Sequence, residues 1–165
     1  MSLALLVVFV VGQKRPPAKV AAPVPPVTCA EARDFLQRVE GAIADVNGAK
    51  NPPDSIIRNS NAPVTREAIL LEYKRIFDFT RPFFSYEPNP AIYNPAMFHL
   101  KGAAAMRAAK SLAGWGCINR VGALVTNQED TISPAQFGDE SGLFLSRLAE
   151  LTHTPTIKFS PYLEH

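Results

Sequence analysis

The chain has 165 residues, of which 47% are apolar and 19% are charged, and this length and composition suffice for the core of a single domain. A net charge of +2 is too close to neutral to indicate the concentrated basic surface that nucleic-acid binding usually needs, so no nucleic-acid partner is expected. The 15 prolines predict short helices joined by extended connections.

The N-terminal residues 1–12 contain an apolar run from Leu3 to Val11. This run is shorter than the roughly 20 apolar residues that cross a bilayer, and it is typical of the apolar core of a secretory signal peptide. We therefore expect export to the cell envelope or the cell exterior, with cleavage after residue 12 or as late as residue 22. The mature form would then have no transmembrane span. An ordinary buried strand is the alternative.

Residues 13–27 follow as a Pro-rich linker, and residues 28–165 are predicted to form a single helical domain. Its first helix begins at the capping box of Thr28 and Glu31 and ends at Asn47-Gly48. A second helix follows the N-cap Thr65 and ends before Pro82. Apolar residues recur at helical spacing in both helices: Leu36, Val39, Ile43 and Val46 in the first, and Ile69, Leu70, Tyr73, Ile76 and Phe77 in the second.

The connection over residues 81–96 contains four prolines and four aromatic residues. Because aromatic side chains contribute large apolar areas, they are expected to pack against the helices, and an aromatic platform for a sugar or peptide is the alternative. These aromatic residues are Phe83, Phe84, Tyr86 and Tyr93.

A third, Ala-rich helix is predicted over residues 97–113. The fourth begins with Ser133 as N-cap, Pro134 at the first helical position and Gln136 completing a capping box. Its apolar stripe consists of Phe137, Phe144, Leu145, Leu148 and Leu151, and Ser141 is the small member. Gly138 and Gly142 are expected to leave a shallow groove beside the stripe and to be compensated by close approach of another element. In the C-terminal tail we expect four residues to be buried: Ile157, Phe159, Tyr162 and Leu163. The predicted fold class is a small all-α bundle of about four helices.

Cys29 and Cys117 are the two cysteines of the chain. In an oxidising compartment an isolated pair of this kind forms a disulfide, which would contribute about 4 kcal/mol in the chain-entropy model. Two buried free thiols are the alternative. Because the cysteines do not form paired CxxC motifs, no structural zinc site is predicted, and no other metal or cofactor is expected.

No catalytic signature is present, so the chain is predicted not to be an enzyme. An enzyme that uses His99 or His153 remains a weaker alternative, and His153 is placed where it complements a helix C-terminus. Trp115 and Arg120, which flank Cys117, are candidates for the lining of a small pocket. A Trp packed beside a helix end is the alternative.

The second and fourth predicted helices superpose with an offset of 68 residues, which aligns Thr65 with Ser133 and Ile69 with Phe137. Ile76 likewise aligns with Phe144, and Phe77 aligns with Leu145. The order of helix, loop and capped helix resembles the S-layer homology (SLH) domain. Residues 97–151 look like one degenerate SLH repeat, and residues 63–80 are similar to the second half of another.

In that family, several repeats attach exported proteins to cell-wall polysaccharide, and the arginine of a T-R-A-E stretch holds an anionic sugar substituent. The resemblance implies this role for Thr65 and Arg66, whereas Pro134 and Gln136 replace the arginine and the acid in the second copy. It therefore implies a non-catalytic cell-envelope module that associates with wall polysaccharide. The alternative is a structural or protein-interaction domain of the envelope that binds no glycan.

Overall fold

A computed structural model describes residues 24–50, 52–89 and 91–160. Over these residues the fold is all-α, as predicted, with five α-helices: α1 Cys29–Asn47, α2 Arg66–Thr80, α3 Ala103–Gly114, α4 Ala123–Thr126 and α5 Pro134–Leu151. Three short 3-10 helices cover Arg81–Phe83, Pro95–Met97 and Thr156–Phe159. None of the helices in this described part combines the length and apolar character needed to cross a bilayer. The predicted signal peptide, most of the Pro-rich linker, Tyr162 and Leu163 lie outside the described residues.

The starts of α1, α2 and α5 are set by local caps, as the sequence predicts. At α1, Glu31 N donates to Thr28 Oγ1 over 3.2 Å and Thr28 N donates to the Glu31 carboxylate over 2.8 Å. The equivalent pair of Ser133 and Gln136 closes a second capping box at α5. Thr65 caps α2 by accepting a hydrogen bond from Ala68 N. These bonds satisfy amides that have no partner inside the helix, so nearby residues contribute to each start.

Helix α3 begins six residues later than the prediction of 97, at Ala103. The preceding backbone is drawn out of helical geometry by bonds to distant residues. His99 N donates to Val125 O over 2.6 Å, and Lys101 N donates to Glu67 Oε1 over 2.7 Å. Because both amides are engaged outside the helix, the helical pattern in the sequence is overridden there.

The apolar faces of α1, α2 and α5 meet in a common core, which confirms the predicted stripes. At its centre the ring of Tyr73 stacks on that of Phe144, with centroids 4.3 Å apart. The Tyr73 hydroxyl is hydrogen-bonded to Ser141 Oγ over 2.7 Å, and these two residues are 68 positions apart in the sequence. The two helix–loop–helix units, α1–α2 and α3–α5, therefore pack against each other at matched positions of α2 and α5.

The matched positions also include two buried carboxylates, Glu72 and Glu140. Glu72 accepts hydrogen bonds from Ile56 N over 3.0 Å and from Arg75 Nη2 over 2.7 Å. Leu143 stands at the position that matches Arg75, so α5 supplies no corresponding cation to Glu140. The two units therefore carry the same buried acid with different charge compensation.

Glu140 is only 5% exposed, and its Oε2 atom has no hydrogen-bond partner. Burial raises the pKa of its carboxyl group above the usual value. Hydrogen bonds from the backbone of Asn119, Ala123 and Leu124, before and at the start of α4, partly offset this rise by lowering the pKa. A side chain at Gly122 would overlap the Glu140 carboxylate, so glycine is needed for this close approach.

The loop after α2 and the C-terminal tail pack only in part as expected. Phe84 and Tyr93 lie against the core, and Phe83 is half-buried, but Tyr86 is exposed and donates its hydroxyl to Glu150. In the tail Phe159 is fully buried, whereas the expectation of a buried Ile157 is wrong because that side chain is 63% exposed. Residues two apart in a 3-10 helix point in different directions, so Thr156–Phe159 cannot bury both.

The predicted disulfide is not formed, and both thiols are free. Cys29 starts α1 beside Pro63 and close to the start of α5, since neighbouring Val27 bonds to Ile132. Cys117 is buried near Arg147, close to the end of α5. At about 1.5 Å per residue these positions are on the order of 20 Å apart along α5, whereas a disulfide requires Cα atoms within about 7 Å.

Candidate functional site

A surface groove with a volume of about 360 Å³ lies between the N-terminal halves of α1 and α5. We call it the α1/α5 groove. It is lined by Val27, Glu31, Asp34, Phe35, Arg38, Pro134, Phe137 and Gly138. The lining residues from α5 are apolar, and those from α1 include all the charged groups. The groove therefore has one apolar wall and one charged wall.

The floor of the groove is closed by an edge-on contact between the rings of Phe35 and Phe137, whose centroids are 5.5 Å apart. Val27 N donates to Ile132 O over 3.1 Å and joins the segments that lead into the two helices. A Cβ atom added at Gly138 or Gly142 would meet no heavy atom within 4 Å apart from the adjacent backbone of its own helix. The expectation that another element packs closely on these glycines is therefore wrong, and Gly138 instead leaves space in the groove.

The charged wall is formed by Glu31, Asp34 and Arg38, which lie on one face of α1 at helical spacing. Hydrogen bonds from the backbone and side chain of Thr28 lower the pKa of the Glu31 carboxyl group. Arg38 Nη2 lies 2.8 Å from Asp34 Oδ2, and both side chains are more than half exposed. The wall thus presents two carboxylates and one guanidinium at the surface.

A smaller pocket of about 120 Å³ lies at the start of α2 and is lined by Thr65, Arg66, Glu67, Lys101 and Asp130. It lies between the second helix of the first unit and the first helix of the second unit. The α1/α5 groove is the reciprocal arrangement, with Pro134 and Ala135 at the positions that match Arg66 and Glu67. Arg66 and Glu67 line the smaller pocket with long charged side chains, whereas Pro134 lines the α1/α5 groove with a compact apolar ring.

Arg66, the arginine that the SLH resemblance assigns to ligand binding, is only 3% exposed. Its Nε donates to Glu129 O over 2.6 Å, its Nη1 to Leu124 O over 2.9 Å and its Nη2 to His99 O over 3.0 Å. Burial lowers the pKa of its guanidinium, against the opposing effect of Asp130. All three guanidinium nitrogens are thus directed at backbone carbonyls rather than at a surface where an anionic sugar could bind.

The T-R-E stretch consists of Thr65, Arg66 and Glu67, and the two residues beside Arg66 also stabilise the fold. Thr65 serves as the cap of α2, and Glu67 Oε1 accepts from Lys101 N over 2.7 Å and from Gly102 N over 2.8 Å, just before α3. Lys101 Nζ lies 2.9 Å from the Asp130 carboxylate at the mouth of the pocket. The stretch therefore connects the start of α2 to the segments that precede α3 and α5.

Trp115 and Arg120 line neither the α1/α5 groove nor the smaller pocket. Trp115 is half-buried after α3 in an edge-on contact with Phe77 at 5.2 Å, and the Arg81 guanidinium lies 5.4 Å from its ring. Arg120 donates to the backbone at the end of α3 and lies 5.4 Å from the ring of Tyr93. The alternative of a Trp packed beside a helix end agrees with this placement.

The two histidines within the described residues lie in separate places. His99 Nδ1 is 2.7 Å from Gln128 Nε2, and exposed His153 lies 5.9 Å from the ring of Tyr86. Over residues 24–50, 52–89 and 91–160, no group of three or more His, Cys, Asp or Glu side chains is arranged to hold a metal ion.

Sequence reasoning did not single out the α1 side of the groove. Phe35 lies beside the stripe of Leu36, Val39 and Ile43 rather than on it, and that displacement was the available signal. On the α5 side, the predicted shallow groove at Gly138 exists. No family model, no curated protein and no solved structure matches this chain.

Proposed function

We propose that this chain is a non-catalytic module of the cell envelope that associates with wall polysaccharide, as its resemblance to SLH domains implies, and that the polysaccharide binds in the α1/α5 groove. The observation that carries the proposal is the pairing of an apolar wall on α5 with a charged wall on α1. A sugar ring has an apolar face and an edge of hydroxyl groups. The ring face would lie against Phe137 and Pro134, and the hydroxyl groups would bond to Glu31, Asp34 and Arg38.

The size of the groove agrees with this ligand class. Its volume of about 360 Å³ is within the range of about 300–1,000 Å³ that small-molecule sites occupy. It is a surface groove rather than an enclosed cavity, so a polymer can continue beyond the segment that the protein contacts. Export, which polysaccharide binding requires, is supported by the apolar run from Leu3 to Val11.

Gly138 allows a direct test, because a large side chain there enters the groove while its backbone position stays helical. We expect Gly138→Trp to abolish retention of the protein on purified cell walls. Gly138→Ala leaves the groove open and improves helix propensity, so its retention should equal that of the wild type. Gly142→Trp adds the same indole one turn away, outside the groove lining, and controls for nonspecific adsorption.

The result is read by sedimenting the walls and measuring the bound protein. The proposal fails if the wild type stays in the supernatant. It also fails if Gly138→Trp is retained as well as Gly142→Trp while both variants unfold at the wild-type urea concentration.

A protein-interaction role is the second candidate, and it is favoured by apolar side chains in the loop after α2. Ile92 is fully exposed and Met97 is 54% exposed. Contiguous exposed apolar surface marks protein contacts, and in this second candidate the two side chains belong to such a surface. If this loop is the functional surface, the double variant Ile92→Ser, Met97→Ser will lose a stoichiometric envelope partner on co-purification, and Gly138→Trp will keep it.

A further inference from the structure

The charges that line the α1/α5 groove are unfavourable for an anionic ligand. Glu31 and Asp34 contribute two negative charges, and Arg38 contributes the one positive charge among the described lining residues, which leaves a net charge of −1. Arg38 is also paired with Asp34 at 2.8 Å. An anionic sugar would therefore meet a net negative charge without gaining a free cation.

The helix N-termini beside the groove do not reverse this preference. A helix N-terminus attracts anions through amides that have no partner within the helix. At α1 the side chains of Thr28 and Glu31 already occupy this end, and at α5 Ser133 and Gln136 do the same. Glu31 also places a negative charge within the first turn of α1. The arginine of the T-R-E stretch gives no help, because Arg66 is buried against three carbonyls elsewhere.

The two carboxylates also do not require a cationic sugar. Glu31 accepts two hydrogen bonds from Thr28, and Asp34 has Arg38 as its counter-ion. Each is therefore already compensated in part, and each still has lone pairs that can accept hydrogen bonds from hydroxyl groups. Apolar contact on one side and hydroxyl acceptors on the other are what a neutral sugar needs.

We propose that the α1/α5 groove selects an uncharged polysaccharide, and that Glu31 and Asp34 exclude anionic wall polymers from it. This inference rests on the proposed function and specifies the ligand class of the same site. It is opposite to the anionic ligand that the SLH resemblance implies.

Replacing the two acids by their amides changes the charge without changing the shape. In the double variant Glu31→Gln, Asp34→Asn the capping box is kept, because Gln is also accepted at that position. Arg38 loses its counter-ion, and the net charge of the lining changes from −1 to +1. The matched control is Asp45→Asn, Asp54→Asn, which removes two exposed acids outside the groove lining.

The probes are the neutral and anionic fractions of polysaccharide released from purified walls, separated by anion exchange. We expect the wild type to be retarded by the neutral fraction in affinity electrophoresis, and this retardation should be insensitive to salt. The double variant should gain affinity for the anionic fraction by about tenfold, and that gain should disappear above about 0.5 M salt, where charges are screened. The control variant should behave as the wild type.

Stronger binding of the wild type to the anionic fraction would overturn the inference and leave polysaccharide binding intact. The same conclusion would follow if the double variant kept the wild-type preference for the neutral fraction. Stronger binding to a de-N-acetylated, amine-bearing sample of the neutral fraction would overturn it in favour of a cationic ligand. Wild-type binding to neither fraction, with retention only by wall protein, would reject the inference together with the proposed function.

Discussion

Arg66 offers the sharpest test of how this fold is held together, since sequence and structure assign it opposite roles. The SLH resemblance implies a ligand role for Arg66, and the structure places its guanidinium against the carbonyl groups of His99, Leu124 and Glu129. In Arg66→Ala these three acceptors lose their donor. We therefore expect a large loss of stability and no specific loss of wall binding.

The magnitude follows from the burial of each bond. The bond to Leu124 is fully buried, and losing a buried bond to a charged donor costs about 1.5–3 kcal/mol. The bonds to His99 and Glu129 are partly buried, so water can replace the donor and each costs about 0.5–1.5 kcal/mol. We expect a total of about 2.5–6 kcal/mol, a large share of the roughly 5–15 kcal/mol that stabilises a typical domain.

The assay is urea unfolding followed by far-UV circular dichroism. Arg107→Ala, at an exposed position of α3, is the matched control and should change the free energy of unfolding by less than about 0.5 kcal/mol. Arg66→Lys keeps the charge but not the fork of donors, so it should fall between Arg66→Ala and the wild type. A loss below about 1 kcal/mol for Arg66→Ala would refute the reasoning. A folded Arg66→Ala that no longer binds walls would restore the ligand role.

Three further predictions concern buried groups. Burial raises the pKa of Glu140 above 4.5, so the stability that its protonated carboxyl contributes is present below that pH and is lost as pH rises through the folded-state pKa. Glu140→Gln should therefore gain stability relative to the wild type as the pH is raised from acid to neutral. A constant difference in urea midpoint across that range would contradict this. Gly122→Ala should lower the free energy of unfolding by about 1–3 kcal/mol, because its methyl group overlaps the Glu140 carboxylate. Gly142→Ala should instead raise the free energy of unfolding by about 0.5–1 kcal/mol. Equal effects of the two variants would argue against the close approach of Glu140 to Gly122. Burial raises the pKa of Cys117 to about 12, so a thiol reagent should label Cys29 in the folded protein and Cys117 only after unfolding. A native protein without reactive thiols would point to a disulfide instead.

The helices themselves are largely readable from the sequence because their causes are local. Thr28, Thr65 and Ser133 each bond to an amide three residues ahead, and these bonds fix three helix starts. The residues of the α2 and α5 stripes recur at helical spacing and are buried. The start of α3 is misplaced because the amides before it bond to Glu67 and Val125, which no local pattern reveals.

The sequence by itself determined an all-α fold with three capped helix starts, since capping and helical periodicity act over a few residues. Only the tertiary structure decided what the charged side chains do. The partners of Arg66 lie 33 to 63 positions along the chain, so its burial follows from how α2, α4 and the intervening loops pack. The same packing separates Cys29 from Cys117 and leaves the α1/α5 groove open opposite Pro134. Whether a side chain binds a ligand or stabilises the fold depends on which distant backbone groups it contacts. Those contacts exist only in the packed chain.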